Sequence, residues 1–210
     1  MLEFDIHCVQ CPRLASHLAH VREAYAGYYA KPVPSFGDAA ARLVIVGLAP
    51  GKHGANATGR PFTGDYAGIL LYETLHKFGF ANQPVSVSAR DALKLSNCRI
   101  TNAVKCLPPE NKPTPAEIKT CNTYLAVELR GVPAGTVILA LGTIAHNAVL
   151  RAFGLATKPY PFGHGAEHTL PGDIRLIDSY HCSRYNTQTK RLTRAMFEQV
   201  FARIQTLLGP

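Results

Sequence analysis

The sequence contains no run of about 18 or more apolar residues, so none of its segments is predicted to span a membrane. Its start also lacks the features of a signal peptide, because Glu3 and Asp5 stand where positive charge is expected. We therefore expect a cytoplasmic protein. With 47% of its 210 residues hydrophobic, the chain suits a single domain over residues 1–210 with a substantial core.

Acidic residues are scarce in this chain. Asp and Glu together number 14 against 22 Lys and Arg, which gives a formal net charge of +8. Lys and Arg clustered on one face attract phosphate backbones, so this excess indicates an anionic partner. Charge alone does not identify that partner, because many basic proteins bind no nucleic acid.

Short apolar runs alternate with helical patterns along the chain. Runs with the length of strands lie at 42–47, 98–104, 136–142 and 174–180. Helical periodicity covers 12–30, 65–79, 114–131, 143–154 and 191–209. This alternation predicts an α/β fold, a three-layer α/β/α sandwich with a central four-stranded parallel sheet. Two segments rich in Pro and Gly are expected to lie on the surface, at 30–40 and 158–173.

Ligands of open α/β sheets bind beyond the carboxyl ends of the strands, and a glycine-rich loop follows the first strand here. A nucleotide phosphate loop would need glycine five positions before Gly51 and Ser or Thr after Lys52. The sequence has Val46 and His53 at those places, and the dinucleotide fingerprint G-x-G-x-x-G is also broken. We therefore expect a binding loop of another kind, with a ligand-free surface turn as the alternative.

Six cysteines in a reducing compartment favour metal chemistry over disulfides. Four of them form C-x-x-C and C-x14-C pairs, a donor set that suits zinc or an iron-sulfur cluster: Cys8, Cys11, Cys106 and Cys121. Cys98 and Cys182 are left without a role. Scattered buried thiols are the alternative interpretation.

Three longer motifs join the cysteine pattern. They are GLAPGKHGANATGRPFTGDYAG at 47–68, TNAVKCLPPENKPTP at 101–115 and SYHCSRYNTQTKRLT at 179–193. Together these features resemble the iron-sulfur uracil-DNA glycosylases, and the motifs are similar to those of family 5, the type-b branch. The resemblance runs from Cys8 to about Met196.

This resemblance implies a monofunctional glycosylase of base-excision repair that hydrolyses the N-glycosidic bond of uracil in DNA and leaves an abasic site. Hypoxanthine and xanthine are further candidate bases. It also implies a structural [4Fe-4S] cluster held by Cys8, Cys11, Cys106 and Cys121, and DNA containing a deaminated base as the partner. We expect a monomer.

The reaction requires a pocket for a flipped base, and the resemblance places candidate residues in it. Phe62 matches the aromatic that stacks on the base, and Asn102 matches an amide that can read its edge. His181 matches the histidine that stabilises charge on the departing base. Each also has a plain structural interpretation: core packing for Phe62, a turn cap for Asn102 and a satisfied structural histidine for His181.

The pocket wall after the first strand is predicted to consist of Gly47, Leu48 and Ala49, which supply no polar side chain where related families have one. Asp65 is then the nearest acidic candidate for orienting water and stabilising the cationic sugar. Its alternative role is the N-cap of the helix that follows, a position that Asp favours.

Basic and polar residues around the motifs are candidates for contacts with the duplex. They are Lys52, Arg60, Ser183, Arg184, Tyr185, Asn186, Lys190 and Arg191. Residues 183–186 are expected to form a loop that enters the duplex, with Tyr185 or Arg184 as the wedge. The chain departs from the family at Cys182, where Pro is common, and at Lys190, where Gly is common.

Two functions of other classes stay open on the sequence alone. Because Leu48 and Ala49 remove the usual catalytic side chains, the same fold could grip damaged or single-stranded DNA without cleaving it. A zinc-stabilised hydrolase of small molecules is the third candidate, and it would be colourless where an iron-sulfur protein is brown.

Overall fold

A six-stranded sheet forms the centre of the computed structural model, which describes residues 4–209. Its strands are β1 (Phe36–Gly37), β2 (Leu43–Gly47), β3 (Cys98–Asn102), β4 (Val137–Leu141), β5 (Glu167–Leu170) and β6 (Ile174–Ser179). They lie in the order β1-β3-β2-β4-β6-β5. The inner four pair in parallel, as predicted, and β1 and β5 add antiparallel edges.

Helices cover both faces of this sheet. They are α1 (Pro12–Ala24), α2 (Ala55–Thr58), α3 (Tyr66–Lys77), α4 (Pro115–Arg130), α5 (Thr143–Ala152), α6 (Arg184–Gln188) and α7 (Arg194–Leu208). Helices α3 and α7 share one core cluster with the sheet, and α4 and α5 share another. The predicted α/β/α sandwich is therefore confirmed. Within residues 4–209, no helix is both long and apolar enough to cross a membrane.

Strand β2 shows why these inner strands are continuous apolar runs. Leu43 and Ile45 pack in the cluster with α3 and α7, whereas Val44 and Val46 pack in the cluster with α4 and α5. All four side chains are fully buried. A strand covered on both faces needs apolar residues at every position, and this gave the sequence its strand signal.

The capping box predicted for α4 is present. Thr114 accepts a hydrogen bond from the Glu117 backbone N–H, and the Glu117 carboxylate accepts one from the Thr114 N–H. The same carboxylate receives two 2.7 Å hydrogen bonds from Arg13. The start of α1 is thus tied to the start of α4.

Two expectations about connecting segments need correction. Helix α1 ends at Ala24 rather than near residue 30, because the chain turns there and Tyr28 N–H bonds to the Tyr25 carbonyl. The segment 30–40 is not wholly at the surface, since Ala30 and Val33 are buried and β1 pairs with β3. The segment 158–173 likewise contains β5.

The carboxyl ends of the strands bring three motifs together. Gly47 at the end of β2 pairs with Asn102 at the end of β3. Gly142, just after β4, donates its N–H to the Ser179 carbonyl at the end of β6, at 2.8 Å. The loops that follow these strands therefore meet at one edge of the sheet.

Candidate active site

A cavity of about 210 Å³ lies at this edge of the sheet. It is lined by Leu48, Ala49, Gly51, Phe62, Asp65, Tyr66, Ala67, Asn102, Asn111, His181, Ser183 and Arg184. Eight of these were predicted as site residues, and Gly51, Tyr66, Ala67 and Asn111 were not. The volume is below the roughly 300–1,000 Å³ of pockets for drug-sized ligands and suits a smaller one.

Phe62 is held in the cavity wall by an unusual backbone. Its φ of 56° lies in the left-handed region, which costs a bulky residue on the order of 1–3 kcal/mol. A Cβ on Gly47 would lie 2.7 Å from the Phe62 ring, and one on Gly68 would lie 1.9 Å from its carbonyl oxygen. The ring stacks on His181, with centroids 6.0 Å apart and planes 26° apart. Two glycines thus make room for this aromatic.

Asn102 presents an unsatisfied amide at the end of β3. Its side chain is buried, and its Oδ1 has no hydrogen-bond partner among the described residues. A Cβ on Gly47 would come within 2.4 Å of that oxygen, so the glycine clears the space around it. Buried polar atoms normally have a partner, and an exception in a cavity indicates a site for a ligand or water.

His181 lies against Phe62 and is a neutral imidazole. Burial lowers its pKa to about 4, so the ring carries no charge at neutral pH. Its Nδ1 has no hydrogen-bond partner in the described part of the chain. The Asn186 amide donates to the His181 carbonyl at 2.8 Å, which ties this backbone to α6.

Asp65 occupies the N-cap position of α3, but its side chain makes no hydrogen bond to that helix. The carboxylate instead accepts from the Ala55 N–H, at 3.0 Å, across the glycine-rich loop. A Cβ on Gly51 or Gly54 would lie 2.2 or 1.9 Å from Asp65 Oδ1. Burial raises the pKa of this carboxyl, and the Ala55 hydrogen bond offsets part of the rise. Asp65 is the acidic residue among those that line the cavity.

Asn111 is a cavity residue that the sequence reasoning missed. It closes a 3₁₀ turn over Pro109–Asn111, in which Glu110 and Asn111 have φ of 54° and 57°. Asparagine tolerates this left-handed conformation better than most residues. The residues PPEN mark a turn, but nothing in their spacing indicates that it folds back over the cavity.

The prediction that Arg60 contacts a phosphate is corrected by its burial. Its side chain is 5% exposed, and its guanidinium donates to Asp91 at 2.8 Å and to Thr63 and Ser86. This ion pair holds the pKa of Asp91 well below its usual range. Arg60 therefore fixes the second half of the glycine-rich loop. Lys52 stays near the surface, 4.9 Å from the centre of the Tyr25 ring.

Residues 183–186 are not the loop that was expected. They begin the short helix α6, whose N-cap Ser183 accepts from the Asn186 N–H. Tyr185 is 71% exposed, whereas the Arg184 guanidinium lies over the Tyr66 ring at 5.1 Å. Of the two wedge candidates, Tyr185 is the free one.

The two basic residues after α6 are exposed. Arg191 lies 4.8 Å from the centre of the Tyr180 ring. Lys190 has a φ of 58°, a conformation that glycine adopts without strain.

The four paired cysteines converge on one small apolar cavity beside α1 and α4, lined by Cys8, Cys11, Cys106 and Cys121. Burial raises the pKa of Cys121 to about 11, and it also raises the pKa of Cys106. The Lys105 N–H donates to the Cys121 sulfur at 3.2 Å. Four soft sulfur donors in an apolar setting fit an iron-sulfur cluster or zinc, either of which deprotonates the thiols on binding. Cys98 and Cys182 are free, buried thiols in the core cluster that α3 and α7 share with the sheet.

Comparisons with known proteins agree with this geometry. A model of the uracil DNA glycosylase superfamily matches residues 34–205. The chain is 48% identical over 207 residues to the type-5 uracil-DNA glycosylase of Thermus thermophilus, covering 96% of this chain and 94% of that protein. It is 41% identical over 203 residues to the type-5 enzyme of Pyrobaculum aerophilum, covering 94% of this chain and 88% of that protein. The chain is 36% identical over 183 residues to the type-4 enzyme of Archaeoglobus fulgidus, covering 84% of this chain and 82% of that protein.

The fold and the cavity thus define an α/β protein with a small-ligand site beyond its strand ends, and the matches identify its class as the DNA glycosylases. The chain belongs to the uracil DNA glycosylase superfamily, in its type-5 branch. Enzymes of this name are hydrolases that act on N-glycosyl bonds. The family predicted from the motifs is confirmed.

Proposed function

We propose that this chain hydrolyses the N-glycosidic bond of uracil in DNA at the cavity described above and leaves an abasic site. The observation that carries the proposal is the grouping of Phe62, Asn102 and His181 around one cavity in a member of this superfamily. A base inside the duplex cannot reach such a cavity, so the nucleotide must first be flipped out of the stack.

Base binding is assigned to Phe62 and Asn102. The Phe62 ring offers a flat face for stacking, and Gly47 and Gly68 allow the backbone to pack closely against this residue. The Asn102 amide can donate and accept, and its Oδ1, which has no partner among residues 4–209, is available to a base. Leu48 and Ala49 supply uncharged side chains to the cavity wall, whereas Gly47 is not among the lining residues and instead packs against Asn102 and Phe62.

Bond cleavage produces a cationic sugar and an anionic base. A neutral His181 can donate a hydrogen bond to a base oxygen as negative charge develops there, and it stays neutral at physiological pH because its pKa is about 4. The Asp65 carboxylate can orient water and stabilise the sugar cation. Because its pKa is raised, it does so best above the acidic range.

Duplex contacts are assigned to the exposed rim of the cavity. Tyr185 is the proposed wedge, and Lys52, Arg184, Lys190 and Arg191 are the proposed phosphate contacts. Asn186 and Ser183 hold the His181 segment and α6 in place beside them. We expect the protein to act as a monomer on bacterial or archaeal chromosomal DNA, in keeping with the sources of its relatives.

The cysteine site is proposed to hold a structural [4Fe-4S] cluster. Cys8 and Cys11 would supply two ligands from the N-terminal segment, and Cys106 and Cys121 would supply two from the segment after β3 and from α4. When bound, the cluster would link these segments. The reaction proposed here uses none of its redox chemistry.

Removal of hypoxanthine and xanthine is a further part of the proposal. The side chains of Leu48 and Ala49 add no donor or acceptor that would select uracil over a larger deaminated base. Base release from a panel of duplexes containing uracil, hypoxanthine or xanthine would measure this breadth.

Base release from uracil-containing DNA under single-turnover conditions tests the proposal. We expect His181→Ala to lower the rate by about 10²- to 10³-fold, because one donor to the developing anion is lost. His20→Ala is the matched control, since His20 is exposed and its Nδ1 lies 2.8 Å from the carbonyl of Ser16 in its own helix. An unchanged rate for His181→Ala would remove His181 from its assigned role.

A function limited to DNA binding is not favoured. Relatives that match nearly the whole chain are named glycosylases, and Asp65 supplies an acidic group to the cavity even though Leu48 and Ala49 do not. The same assay decides this point, because tight binding to uracil-containing DNA without any base release would support the alternative.

A further inference from the structure

A buried cluster of ionisable residues lies apart from the cavity, beneath the segment that leads to His181. His146 of α5, His168 of β5 and Asp178 of β6 bring one donor atom each within 4.8 Å of one another. The side chains of His146 and Asp178 are 1% and 0% exposed. Neither the cavity nor the cysteine site uses these residues.

The two ring nitrogens of His146 both face hydrogen-bond acceptors. Nε2 lies 2.9 Å from the Tyr160 carbonyl oxygen, which can only accept. Nδ1 lies 2.7 Å from Asp178 Oδ1, which also accepts when the carboxyl is ionised. A neutral imidazole has one N–H, so it would turn a lone pair toward one of these oxygens. Two N–H groups satisfy both contacts.

The other groups around His146 leave unchanged the need for a proton on both of its ring nitrogens. His168 faces the cluster from β5, and its Nε2 lies 3.1 Å from the Pro161 carbonyl and 3.8 Å from Asp178 Oδ2. The Phe162 ring packs edge-on against His146. In the described part of the chain, Asp178 is thus the negative charge paired with a cationic His146. Burial lowers the pKa of His146, but the Asp178 hydrogen bond and charge and the Tyr160 carbonyl outweigh it, and the pKa is raised.

We propose that His146 is a stable imidazolium cation that, paired with Asp178, positions the end of β6 from which the His181 segment begins. The positioning role rests on the function proposed above, whereas the protonation state does not. His146 is therefore a positioning residue and touches no substrate.

The backbone connects this ion pair to the active site over a short path. His146 N–H bonds to the Gly142 carbonyl at 3.1 Å, and Gly142 N–H bonds to the Ser179 carbonyl. A Cβ on Gly142 would lie 3.6 Å from the His181 Cβ, so Gly142 and His181 pass close to each other. The pair therefore fixes the first turn of α5 and the end of β6 relative to each other, and His181 follows two residues after Ser179.

A metal ion fits this cluster less well than a proton. Two ligands of one tetrahedral zinc, each about 2.0–2.2 Å from it, are more than 3 Å apart. The 2.7 Å separation of His146 Nδ1 and Asp178 Oδ1 is too short for that, and it is a normal charge-assisted hydrogen bond. His168 Nε2 would also have to leave the Pro161 carbonyl to reach a metal.

Nitrogen NMR of the histidine rings tests the protonation state in the wild-type chain. We expect both ring nitrogens of His146 to carry protons at neutral pH, assigned by the signals that disappear in His146→Gln. An unprotonated ring nitrogen in His146 would overturn the proposal. So would about one zinc per chain that is lost in His168→Gln.

Single-turnover base release as a function of pH tests the positioning role. His146→Gln should lower the rate roughly ten- to a hundredfold, because His181 is misplaced. We also expect the wild-type rate to fall at alkaline pH as His146 loses its proton, and the variant should not show this fall. His168→Gln is the control and should stay within about twofold of wild type. Equal rates for His146→Gln and wild type at every pH would overturn positioning. A wild type without any base release would instead count against the proposed function and leave the NMR result standing.

Discussion

At the scale of single residues, Asp65 shows how position and side chain can serve different purposes. Its backbone starts α3 in the extended conformation of an N-cap, but its carboxylate turns away from α3 and bonds to Ala55. The second oxygen is left near the cavity, where burial raises the pKa. The carboxylate therefore does not cap α3; it bonds to the first N–H of α2 and lines the cavity, where we propose its role in the chemistry.

Asp65→Asn should separate the two roles. The amide keeps an acceptor for Ala55 but loses the charge, so we expect base release to fall by about 10²-fold or more with no loss of thermal stability. Because the pKa is raised, the wild-type rate should rise with pH through the weakly acidic range as the carboxyl ionises, and the variant should lack this limb. Rates from pH 4 to 8 and melting curves measure both effects. A lower melting temperature with a normal pH profile would return Asp65 to a structural role.

The strand pattern predicted where the cavity lies, because parallel strands bring their carboxyl ends together wherever they lie in the chain. Phe62, Asn102 and His181 were singled out by the resemblance of the motifs to a known family, and all three line the cavity. Arg60 was misplaced because its acidic partner, Asp91, lies 31 residues away and no local pattern joins them. Asn111 was missed for a similar reason: its turn is visible in the sequence, but the direction of the turn is set by tertiary packing.

At the scale of elements, the glycine-rich loop after β2 is built to hold side chains rather than a phosphate. Gly47 clears space for Asn102 and Phe62, and Gly51 and Gly54 clear space for Asp65. The Asp65 bond to Ala55 then closes the loop on itself. Its glycines resemble a phosphate loop because both need close backbone approach, but here the approaching groups belong to the protein.

Gly54→Ala should displace the Asp65 carboxylate while leaving that residue in the chain, and so should lower the rate as a substitution of Asp65 does. The new Cβ would lie 1.9 Å from Asp65 Oδ1, so the carboxylate must move, and the Gly54 backbone, at φ −107° and ψ −109°, also lies outside the regions that alanine favours. We expect base release to fall by at least about tenfold, as for other displaced catalytic groups. Gly27→Ala is the matched control, because nothing lies within 4 Å of its added Cβ. Equal rates of base release for both variants would show that the position of the Asp65 carboxylate does not matter for the reaction.

Element boundaries were predicted best where the chain is buried on both faces. The four inner strands were found within two residues at each end, whereas the edge strands β1 and β5 were hidden in segments rich in Pro and Gly. Short edge strands carry little apolar pattern, since each has a neighbouring strand along one edge only. Helix α6 was expected to be a loop because five residues are too few to show helical periodicity.

At the scale of the whole molecule, the N-terminal segment is held by few contacts of its own. Helix α1 packs on the rest of the chain through Leu14, Leu18 and Val21, and Arg13 pairs with Glu117. Cys11 stands immediately before α1, and Cys106 and Cys121 lie on the elements against which α1 packs. A cluster that joins these cysteines would act as the main clamp on this part of the fold.

Loss of the cluster should therefore release α1 first. We expect the wild-type protein, purified without oxygen, to be brown with about four irons per chain, and Cys106→Ser to lose the colour and most of the iron. The variant should melt at a lower temperature and become sensitive to proteolysis within residues 12–24, because α1 loses its covalent anchor. Cys98→Ser is the matched control: this thiol is also buried but lies in the sheet, away from the cysteine cavity, so the iron content of the variant should match wild type. Iron analysis, melting curves and mapped cleavage sites measure the outcome. A colourless wild type with one zinc per chain, or equal iron loss in both variants, would contradict the assignment.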